Sequence, residues 1–421
     1  MTENLILVTL DSLRADHCGP DEVGTELAPT MRRMANDGVE YEYAIAPGPR
    51  TPSSMPAVFT GEHLSPVYEE AGDFWERRRS AIRKHMRCHE TLPQRLRSRG
   101  YHTVGVTVNP WTQDTAFDRG FNEFIHINGE TIDEYGPPTF RLADLVLGDT
   151  AVGDRLYWFN KREWFIRWSD FYDTIIERID GIPKPYFLWV FLLDTHQPYI
   201  VPDTDREDSS ALGMYYASFR ELAMNGDVPD RIDTCLRRAY RDSVRSVDRF
   251  LARLVEDTAA DDPVFVVHAD HSEAFGEHGT YGHEQQLYEE NIHVPLVVHN
   301  VPNQGRVPEP LPLRRLPDLI ERLTAPGTFD PTAHTADVAI SAVDDGHMNA
   351  VTTRDWKLIR TPDESEDELY HLARDPGERR NLASEHEALE DQLQSLIGRH
   401  RSHQAERVRI ARAVDEEVAV R

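Results

Sequence analysis

Lysine is almost absent from this sequence: only Lys84, Lys161, Lys184 and Lys357 occur in 421 residues, so arginine supplies nearly all of the positive charge. Acidic residues number 73 against 46 basic ones, which gives a formal net charge of −27. Such a charge repels nucleic acids and anionic membrane surfaces, and it excludes nucleic acid as an expected partner. A strongly acidic chain with little lysine also suits high salt, where charge repulsion is screened, so we expect a halophilic source.

Cysteine is scarce too, and no two cysteines stand close enough to form a C-x-x-C pair. The three that occur, Cys18, Cys88 and Cys235, indicate neither a zinc ribbon nor a disulfide framework. Long hydrophobic runs are missing as well, and the longest, near residue 190, is too short to cross a bilayer. The first residues show neither a basic leader nor a cleavage site, so we expect a cytoplasmic protein without a membrane span.

Four apolar runs, each of strand length, are followed by polar residues with useful chemistry. Residues 5–10 lead to Asp11, residues 101–108 to Asn109, residues 186–193 to His196, and residues 264–267 to Asp270 and His271. Continuous apolar runs of this length are typical of strands buried on both faces of an α/β sheet. Because ligands bind beyond the carboxyl ends of such strands, we expect these polar residues to share one site.

Two carboxylates and an imidazole among these residues suggest a metal site. Asp11, Asp270 and His271 offer oxygen and nitrogen ligands, a mixed set that suits a divalent cation such as Mn²⁺ or Zn²⁺. One alternative is that the Glu-rich and His-rich stretch after residue 270 is a solvated acidic loop. Another is a separate zinc site, of a spacing that fits no standard motif, built from His278, His283 and His293.

The sequence Thr51-Pro52 is typical of a helix start, with Thr51 as the N-cap and Pro52 as the first helical residue. Such a helix presents free N–H groups and the positive end of its dipole to whatever lies in front of it. Capping alone explains the pattern, and Ser53 and Ser54 are rival hydroxyls. The alternative is that Thr51 is a nucleophile activated by the cation, because a metal lowers the pKa of a coordinated hydroxyl.

A small anionic ester, including a sugar-linked one, is the substrate that fits this set of groups. His196 and His283 are candidates to bind the non-bridging oxygens of the ester or to protonate its leaving group. Arg14 and Arg50 are candidates to supply positive charge as the ester bond breaks.

The segments between these runs give coarser predictions. The pattern predicts a helix over residues 27–38 with Thr30 as its cap, a strand over residues 39–45 and a helix over residues 231–257. Residues 203–230 are polar and are predicted to form a mobile loop or lid.

Aromatic residues are dense between residues 112 and 180, and they favour core packing over a cofactor role: Tyr157, Trp158, Phe159, Trp164, Phe165, Trp168, Phe171 and Tyr172. Beyond residue 327 we expect a smaller part, with a charged amphipathic helix over residues 385–415. Its strands are predicted over residues 337–342, 350–353, 356–360 and 368–370.

Four segments of the chain resemble segments of the sulfatases of the alkaline-phosphatase superfamily. They are NLILVTLDSLRAD from residue 4, LAPTMRRMANDGVEYEYAIAPGPRTPSSMPAVFTG from residue 27, HADHSEAFGEHGTYGHEQQLYEENIHVPLVV from residue 268 and DWKLIRTPDESEDELYHLARDPGERRNLA from residue 355. The resemblance implies an α/β catalytic domain over residues 1–327, with a large mixed, mostly parallel sheet flanked by helices. It implies a smaller C-terminal α+β subdomain with a four-stranded antiparallel sheet over residues 328–421.

The same resemblance implies roles for individual residues. Asp11, Asp270 and His271 fall on metal-ligand positions and Thr51 on the nucleophile position. Two histidines and, more weakly, one asparagine fall on substrate-side positions: His196, His283 and Asn109. The expected cofactor is one divalent ion, Ca²⁺, Mg²⁺ or Mn²⁺, and the oligomeric state is left open.

The chain departs from the sulfatase pattern at several positions. Ser12 stands where the family has a second aspartate, and the third strand carries Asp-His in place of Asp-Asn. The family has a Cys or Ser that is oxidised to formylglycine where this chain has Thr51, a secondary alcohol that cannot give that aldehyde. The proline and arginine of the maturation motif are replaced by Ser53 and Met55, so no formylglycine is expected.

These departures look more like the phosphodiesterase, phosphonate-hydrolase and phosphoglycerol-transferase relatives. Three hypotheses follow. The first is a metal-dependent hydrolase of sulfate or phosphate esters with Thr51 as nucleophile, and the second is a phospho-group transferase. The third is a binding protein that keeps the fold and has lost catalysis.

Overall fold

The apolar runs identified in the sequence form the centre of a large β-sheet. The computed structural model describes residues 3–66, 73–128, 131, 166–222, 228–325, 327–361 and 367–419. Within these residues the strands are β1 Leu5–Leu10, β2 Val39–Tyr41, β3 Ala44–Ile45, β4 His102–Thr107, β5 Glu123–His126, β6 Tyr186–Leu192, β7 Val264–Ala269, β8 Ala274–Phe275, β9 Tyr281–Gly282, β10 His293–Val294, β11 Leu296–His299, β12 Gly305–Val307, β13 Leu311–Pro312, β14 Ala339–Ala342, β15 Asn349–Thr352, β16 Trp356–Arg360 and β17 Glu368–His371.

The central sheet has eight strands in the order β12-β2-β11-β7-β1-β6-β4-β5. β1 pairs in parallel with β6 and β7, and β4 pairs in parallel with β5 and β6. β11 is antiparallel to both β7 and β2, while β12 is parallel to β2. β1, β6 and β7 are buried along their whole length, as their continuous apolar sequences predict. The predicted mixed, mostly parallel sheet is confirmed.

The helices are α1 Glu22–Leu27, α2 Pro29–Asn36, α3 Thr51–Thr60, α4 Phe74–Cys88, α5 Leu92–Ser98, α6 Trp168–Gly181, α7 Ala211–Leu222, α8 Asp230–Asp257, α9 Glu289–Ile292, α10 Leu316–Thr324 and α11 Glu387–Ala419. α8 confirms the helix predicted over residues 231–257, because Leu236, Tyr240, Val244, Val247 and Leu251 are buried at helical spacing. Across the described ranges, no helix has an apolar stretch long enough to cross a membrane.

A second sheet lies near the C-terminus. β14, β15, β16 and β17 form a separate four-stranded antiparallel sheet in sequential order. Its apolar face packs against α11, where Val351, Leu358 and Leu369 of the strands cluster with Leu393 and Ile397 of the helix. The predicted antiparallel sheet is confirmed, and the boundary between residues 327 and 328 stays a prediction.

The helix predicted over residues 27–38 is shorter than expected, and its predicted cap is wrong. The helix begins at Pro29, so Thr30 lies inside its first turn. The carboxylate of Asp248 on α8 accepts hydrogen bonds from the N–H groups of Thr30 and Met31, at 3.0 and 2.9 Å. A side chain distant in sequence caps this helix, which a local pattern cannot reveal.

Two further segments differ from their predictions. The strand predicted over residues 39–45 is divided between β2 of the central sheet and β3 of a three-stranded sheet, β10-β3-β13. Residues 203–230 contain α7, so they are not a loop throughout. The segment before α7 is held by Asp242, whose carboxylate accepts hydrogen bonds from the N–H groups of Glu207, Asp208 and Ser209.

Core packing is confirmed for the aromatic residues at the start of α6. Trp168, Phe171 and Tyr172 are buried. The rings of Trp168 and Phe250 lie 5.7 Å apart between their centroids, which packs α6 against α8. The other aromatic residues of the prediction lie outside the described residues: Tyr157, Trp158, Phe159, Trp164 and Phe165.

Candidate active site

Four neighbouring strands of the central sheet, β7, β1, β6 and β4, run in the same direction. Their carboxyl ends therefore meet at one edge, where ligands are expected in α/β sheets. Asp11 follows β1, and Asp270 and His271 follow β7. Asn109 follows β4, and His196 follows β6.

Asp11, Asp270 and His271 form a fully buried cluster. One possible ligand atom from each residue lies within 4.8 Å of the others. In the described part of the chain, this is the one group of three or more His, Cys, Asp or Glu residues close enough to hold a metal ion. The Nε2 atom of His271 lies 3.4 Å from Asp11 Oδ1 and 3.5 Å from Asp270 Oδ2.

The hydrogen bonds around this cluster leave an oxygen or nitrogen atom of each of its three residues facing the other two. Nδ1 of His271 donates to the carbonyl oxygen of Ser272 at 2.9 Å, and this contact turns Nε2 towards the two carboxylates. Asp270 Oδ2 is buried and has no hydrogen-bond partner among the residues that the structure describes. Burial and the neighbouring Asp270 carboxylate raise the pKa of Asp11 well above its ordinary value, against a lowering by His271. Two carboxylates and an imidazole in this arrangement fit a divalent cation.

Thr51 is the first residue of α3, and its hydroxyl faces the cluster. Its Oγ1 lies 3.4 Å from Asp11 Oδ2 and 3.4 Å from His271 Nε2. The prediction that Thr51 is the N-cap is wrong, because Arg50, in an extended conformation, precedes the helix. The rival hydroxyls are engaged elsewhere: Ser53 Oγ donates to Arg50 O and Ser54 Oγ donates to Asp270 O.

Asn109 joins the cluster from β4. Its Nδ2 group donates a 2.7 Å hydrogen bond to Asp11 Oδ2 and lies 3.5 Å from Thr51 Oγ1. Its Oδ1 atom accepts a 2.8 Å hydrogen bond from the N–H group of Trp111, which fixes the amide orientation. Asn109 therefore contacts a candidate ligand and the candidate nucleophile together.

Two further histidines lie beside the cluster. The ring of His283 lies 4.8 Å from that of His196 and 5.0 Å from that of His271, between centroids. Burial, with the nearby imidazoles of His196 and His271 and the Arg50 guanidinium, holds the pKa of His283 well below its ordinary value. Arg50 Nε donates to the carbonyl oxygen of His283 at 2.8 Å, so Arg50 also borders the site.

Arg14 does not share these contacts. Its guanidinium donates to Asp16, to Glu277 at 2.8 Å and to the carbonyl oxygen of Glu273 at 2.8 Å. It lines a separate cavity of about 560 Å³ together with Glu277 and other acidic residues. A substrate role for Arg14 stays a prediction. Its ion pairs with Asp16 and Glu277 favour a structural role.

Ser12, which stands at the position of the family's second aspartate, and Glu273 also lie in the site, although the sequence predicts a functional role for neither. Ser12 has a φ of 62°, which is uncommon for a non-glycine residue. Its N–H group lies 3.3 Å from Asp270 Oδ1 and its Oγ donates to Asp11 Oδ1 at 3.1 Å. Glu273 is fully buried, its Oε1 lies 3.3 Å from His283 Nδ1, and burial raises its pKa to about 7.

The alternative zinc site is wrong, because its three histidines face different partners. His278 pairs with Glu290 and lies 3.1 Å from the carbonyl oxygen of Glu378. His293 pairs with Glu289 at 3.2 Å, whereas His283 lies in the candidate active site. The three are not among the groups of potential metal ligands in the described residues.

The chain belongs to the sulfatase family, since the Sulfatase family profile matches residues 3–311. No curated protein shows significant sequence similarity to the chain.

Solved structures share the fold at low sequence identity. The phosphonate monoester hydrolase of Agrobacterium radiobacter is 16% identical, with a TM-score of 0.67 and 96% of each chain covered. A 2-O GAG sulfatase is 14% identical, with a TM-score of 0.70. The similarity covers 97% of this chain and 94% of that sulfatase. A protein of the alkaline phosphatase superfamily from Vibrio parahaemolyticus is 20% identical, with a TM-score of 0.59. The similarity covers 87% of this chain and 79% of that protein. These similarities show that the fold is that of the alkaline-phosphatase superfamily.

Proposed function

We propose that this protein is a metal-dependent hydrolase of sulfate or phosphate esters in which Thr51 is the nucleophile. The observation that carries the proposal is the position of Thr51 Oγ1, 3.4 Å from both Asp11 Oδ2 and His271 Nε2. Membership of the sulfatase family supports an ester hydrolase. A phosphonate monoester hydrolase among the structural neighbours supports including phosphorus esters.

Asp11, Asp270 and His271 would hold the cation, because their oxygen and nitrogen atoms face one another and Asp270 Oδ2 has no hydrogen-bond partner among the described residues. When bound, a divalent cation there supplies positive charge that polarises the ester and lowers the pKa of a neighbouring hydroxyl. Asn109 keeps the Asp11 carboxylate in orientation through its 2.7 Å hydrogen bond.

In the first step, the O–H bond of Thr51 breaks and its Oγ1 forms a bond to sulfur or phosphorus. The bond between that atom and the leaving oxygen breaks at the same time. The proton of Thr51 goes to solvent, and His196 donates a proton to the leaving oxygen. The products are the free alcohol and a Thr51 ester.

In the second step, water attacks the Thr51 ester and displaces Oγ1, which regains a proton from solvent. The imidazole of His283 is suited to accept the proton of the water, because its lowered pKa keeps it neutral. His283 passes this proton to His196, whose ring lies 4.8 Å away, and this restores the starting state. The acid that is released contains one oxygen from water.

The experiment measures turnover of an aryl sulfate, a phosphate monoester, a phosphodiester and a phosphonate monoester. Because the chain is strongly acidic, the assay is run at high salt with added Mn²⁺, Ca²⁺ or Mg²⁺. We expect Thr51→Ala to lower kcat at least about a thousandfold on the best substrate, as loss of a nucleophile does. Thr51→Ser keeps a hydroxyl and should retain much more activity.

Thr324→Ala on α10 is the matched control, because the Thr324 hydroxyl donates to Glu321 O and accepts from Arg99, and neither residue belongs to the candidate site. Elemental analysis should find about one divalent ion per chain, and Asp270→Asn should lower this content. Product analysis with glycerol present separates hydrolysis from transfer, since a transferase would give a glycerol ester. Unchanged turnover in Thr51→Ala would remove Thr51 from the mechanism.

A further inference from the structure

The helix α4 is strongly basic in an acidic protein. It carries five arginines and one lysine against a single glutamate, whereas the whole chain has a net charge of −27. Arg79 donates to the carbonyl oxygens of Pro110 and Gln113, and Arg83 donates to that of Asp114. Neither arginine is paired with a carboxylate in the described residues, so both keep their full positive charge.

α4 is attached to the start of the helix that carries Thr51. Arg78, which is buried, donates to the carbonyl oxygen of Pro52 at 3.1 Å and to that of Asp344 at 2.7 Å. Trp75 precedes Arg78 by three residues and Arg79 by four, so the three side chains share one face of the helix. This face is therefore held beside the candidate active site.

Two tryptophans meet at this face. The ring centroids of Trp75 and Trp111 lie 5.5 Å apart at an angle of 53°. The guanidinium carbon of Arg50 lies 5.7 Å from the centroid of Trp75, and that of Arg79 lies 4.8 Å from the centroid of Trp111. Trp75 is 47% exposed, although it is one of the largest apolar side chains.

Both tryptophans are connected directly to site residues. Trp111 donates its N–H group to Asn109, which itself contacts Asp11 and Thr51. Trp75 lies against Arg50, which immediately precedes Thr51. The two rings, which contact each other, therefore belong to residues that border the site.

We propose that Trp75, Trp111 and Arg79 form a specificity subsite for a saccharide ring adjacent to the ring that carries the cleaved ester. Aromatic faces next to cationic groups suit a ligand with an apolar ring face and anionic substituents, which an acidic oligosaccharide provides. The repulsion expected between an acidic protein and a polyanion is reversed locally by the uncompensated arginines. This inference rests on the proposed function and adds its substrate class.

The experiment compares a sulfated monosaccharide with a tetrasaccharide built from the same sulfated unit. In Trp75→Ala, the ratio of kcat/KM for the tetrasaccharide to kcat/KM for the monosaccharide should fall about tenfold, which is the effect of losing about 1.4 kcal/mol of binding. Trp111→Ala should act in the same direction, and Trp75→Phe should restore most of the ratio. The change should appear mainly in KM, because the subsite binds a ring that does not react.

A binding measurement separates this subsite from catalysis. Titration of the same tetrasaccharide into Thr51→Ala protein should give a Kd that rises about tenfold when Trp75→Ala is added. Adding Arg79→Gln instead should weaken binding and flatten its dependence on salt, since one charge contact is lost. Tyr216→Ala, at an aromatic residue of α7 that is 52% exposed, is the control for the tryptophans, and Arg374→Gln is the control for charge.

Equal losses on the monosaccharide and the tetrasaccharide would overturn the inference, because the ester-bearing ring itself would then lie on Trp75. An unchanged ratio in both tryptophan variants would overturn it too. Wild-type protein that cleaves simple aryl esters but neither saccharide would refute the substrate class while leaving the proposed function intact. Wild-type protein without activity on any ester would instead refute the proposed function.

Discussion

Asn109 donates a 2.7 Å hydrogen bond from Nδ2 to Oδ2 of Asp11, inside a buried cluster of acidic and imidazole groups. This contact occupies Oδ2 of Asp11, while Oδ1 accepts from Ser12 Oγ and lies 3.4 Å from His271 Nε2. An outer hydrogen bond of this kind orients a metal ligand and adjusts its basicity. The resemblance places Asn109 on the substrate side, and its hydrogen bond to Asp11 favours a role in orienting a ligand of the proposed cation.

Asn109→Ala should therefore weaken both metal binding and catalysis. Loss of an outer partner of a metal ligand typically lowers affinity or activity by about 10–100-fold. Titration of metal-free protein with Mn²⁺ should show the rise in Kd, and kcat/KM on the best ester should fall by a similar factor.

Asn300→Ala is the matched control for this change, since the Asn300 amide bonds to Asp262 and Pro263 at the surface. A variant with normal Mn²⁺ affinity and reduced kcat/KM would show that Asn109 acts on the substrate alone. Normal values of both quantities would contradict the proposed role in orienting Asp11.

His85 on α4 should make the stability of the protein depend on pH. Its side chain is buried and its Nε2 lies 2.9 Å from Thr60 Oγ1. Burial, with His89 and Arg407 nearby, lowers the pKa of His85 to about 3. The folded state therefore disfavours the proton, and the contribution of His85 to stability is present above the unfolded pKa of about 6.5.

That contribution is lost as pH falls from about 6.5 towards 3, because only the unfolded chain takes up the proton in this window. Between pH 7 and pH 5 the loss for one such histidine is about 2 kcal/mol. Urea unfolding at the two pH values should show a smaller difference in His85→Gln than in the wild type. The same substitution at the exposed His403 should leave the difference unchanged, and an equal change in both variants would contradict the assignment to His85.

The parts of the fold that the sequence predicted are those set by local, repeated patterns. The continuous apolar sequences of β1, β6 and β7 predict strands buried on both faces, and these strands are buried along their whole length. The sequence of α8 predicts a helix because its apolar residues recur at helical spacing. Asp11, Asp270 and His271 could be predicted as neighbours because parallel strands bring their carboxyl ends to one edge.

The features that were missed depend on contacts between distant residues. The cap of α2 is Asp248, which is more than 200 residues away in the sequence. The contact between the rings of Trp75 and Trp111 likewise joins two separate segments of the chain. Glu273 is one of several glutamates in its stretch of the sequence, and only its burial in the folded chain distinguishes it from the others. The orientation of Arg14 away from the cluster is likewise fixed by Glu277 and Asp16, which a strand pattern does not describe.

Lys357 connects the C-terminal sheet to α9 through a largely buried ion pair. Its side chain is fully buried on β16, and its Nζ lies 3.1 Å from Glu289 Oε1 and 2.9 Å from Glu378 Oε1. Glu378 also accepts a 2.6 Å hydrogen bond from the N–H group of Glu289 at the start of α9. Removing the lysine would leave the fully buried Glu378 carboxylate without a counter-charge in the described residues, whereas Glu289 would keep His293 at 3.2 Å.

Lys357→Met should therefore lower the free energy of unfolding by about 3–5 kcal/mol, the usual cost of breaking a buried pair on one side. Urea unfolding of the wild type and the variant measures this loss. Adding Glu378→Gln to Lys357→Met should recover part of it, because the amide is neutral and still offers an oxygen to the Glu289 N–H group. Lys84→Met is the control for lysine removal, since Lys84 lies on a surface helix. A loss below about 1 kcal/mol in Lys357→Met, the range of exposed ion pairs, would show that water reaches Lys357 in solution.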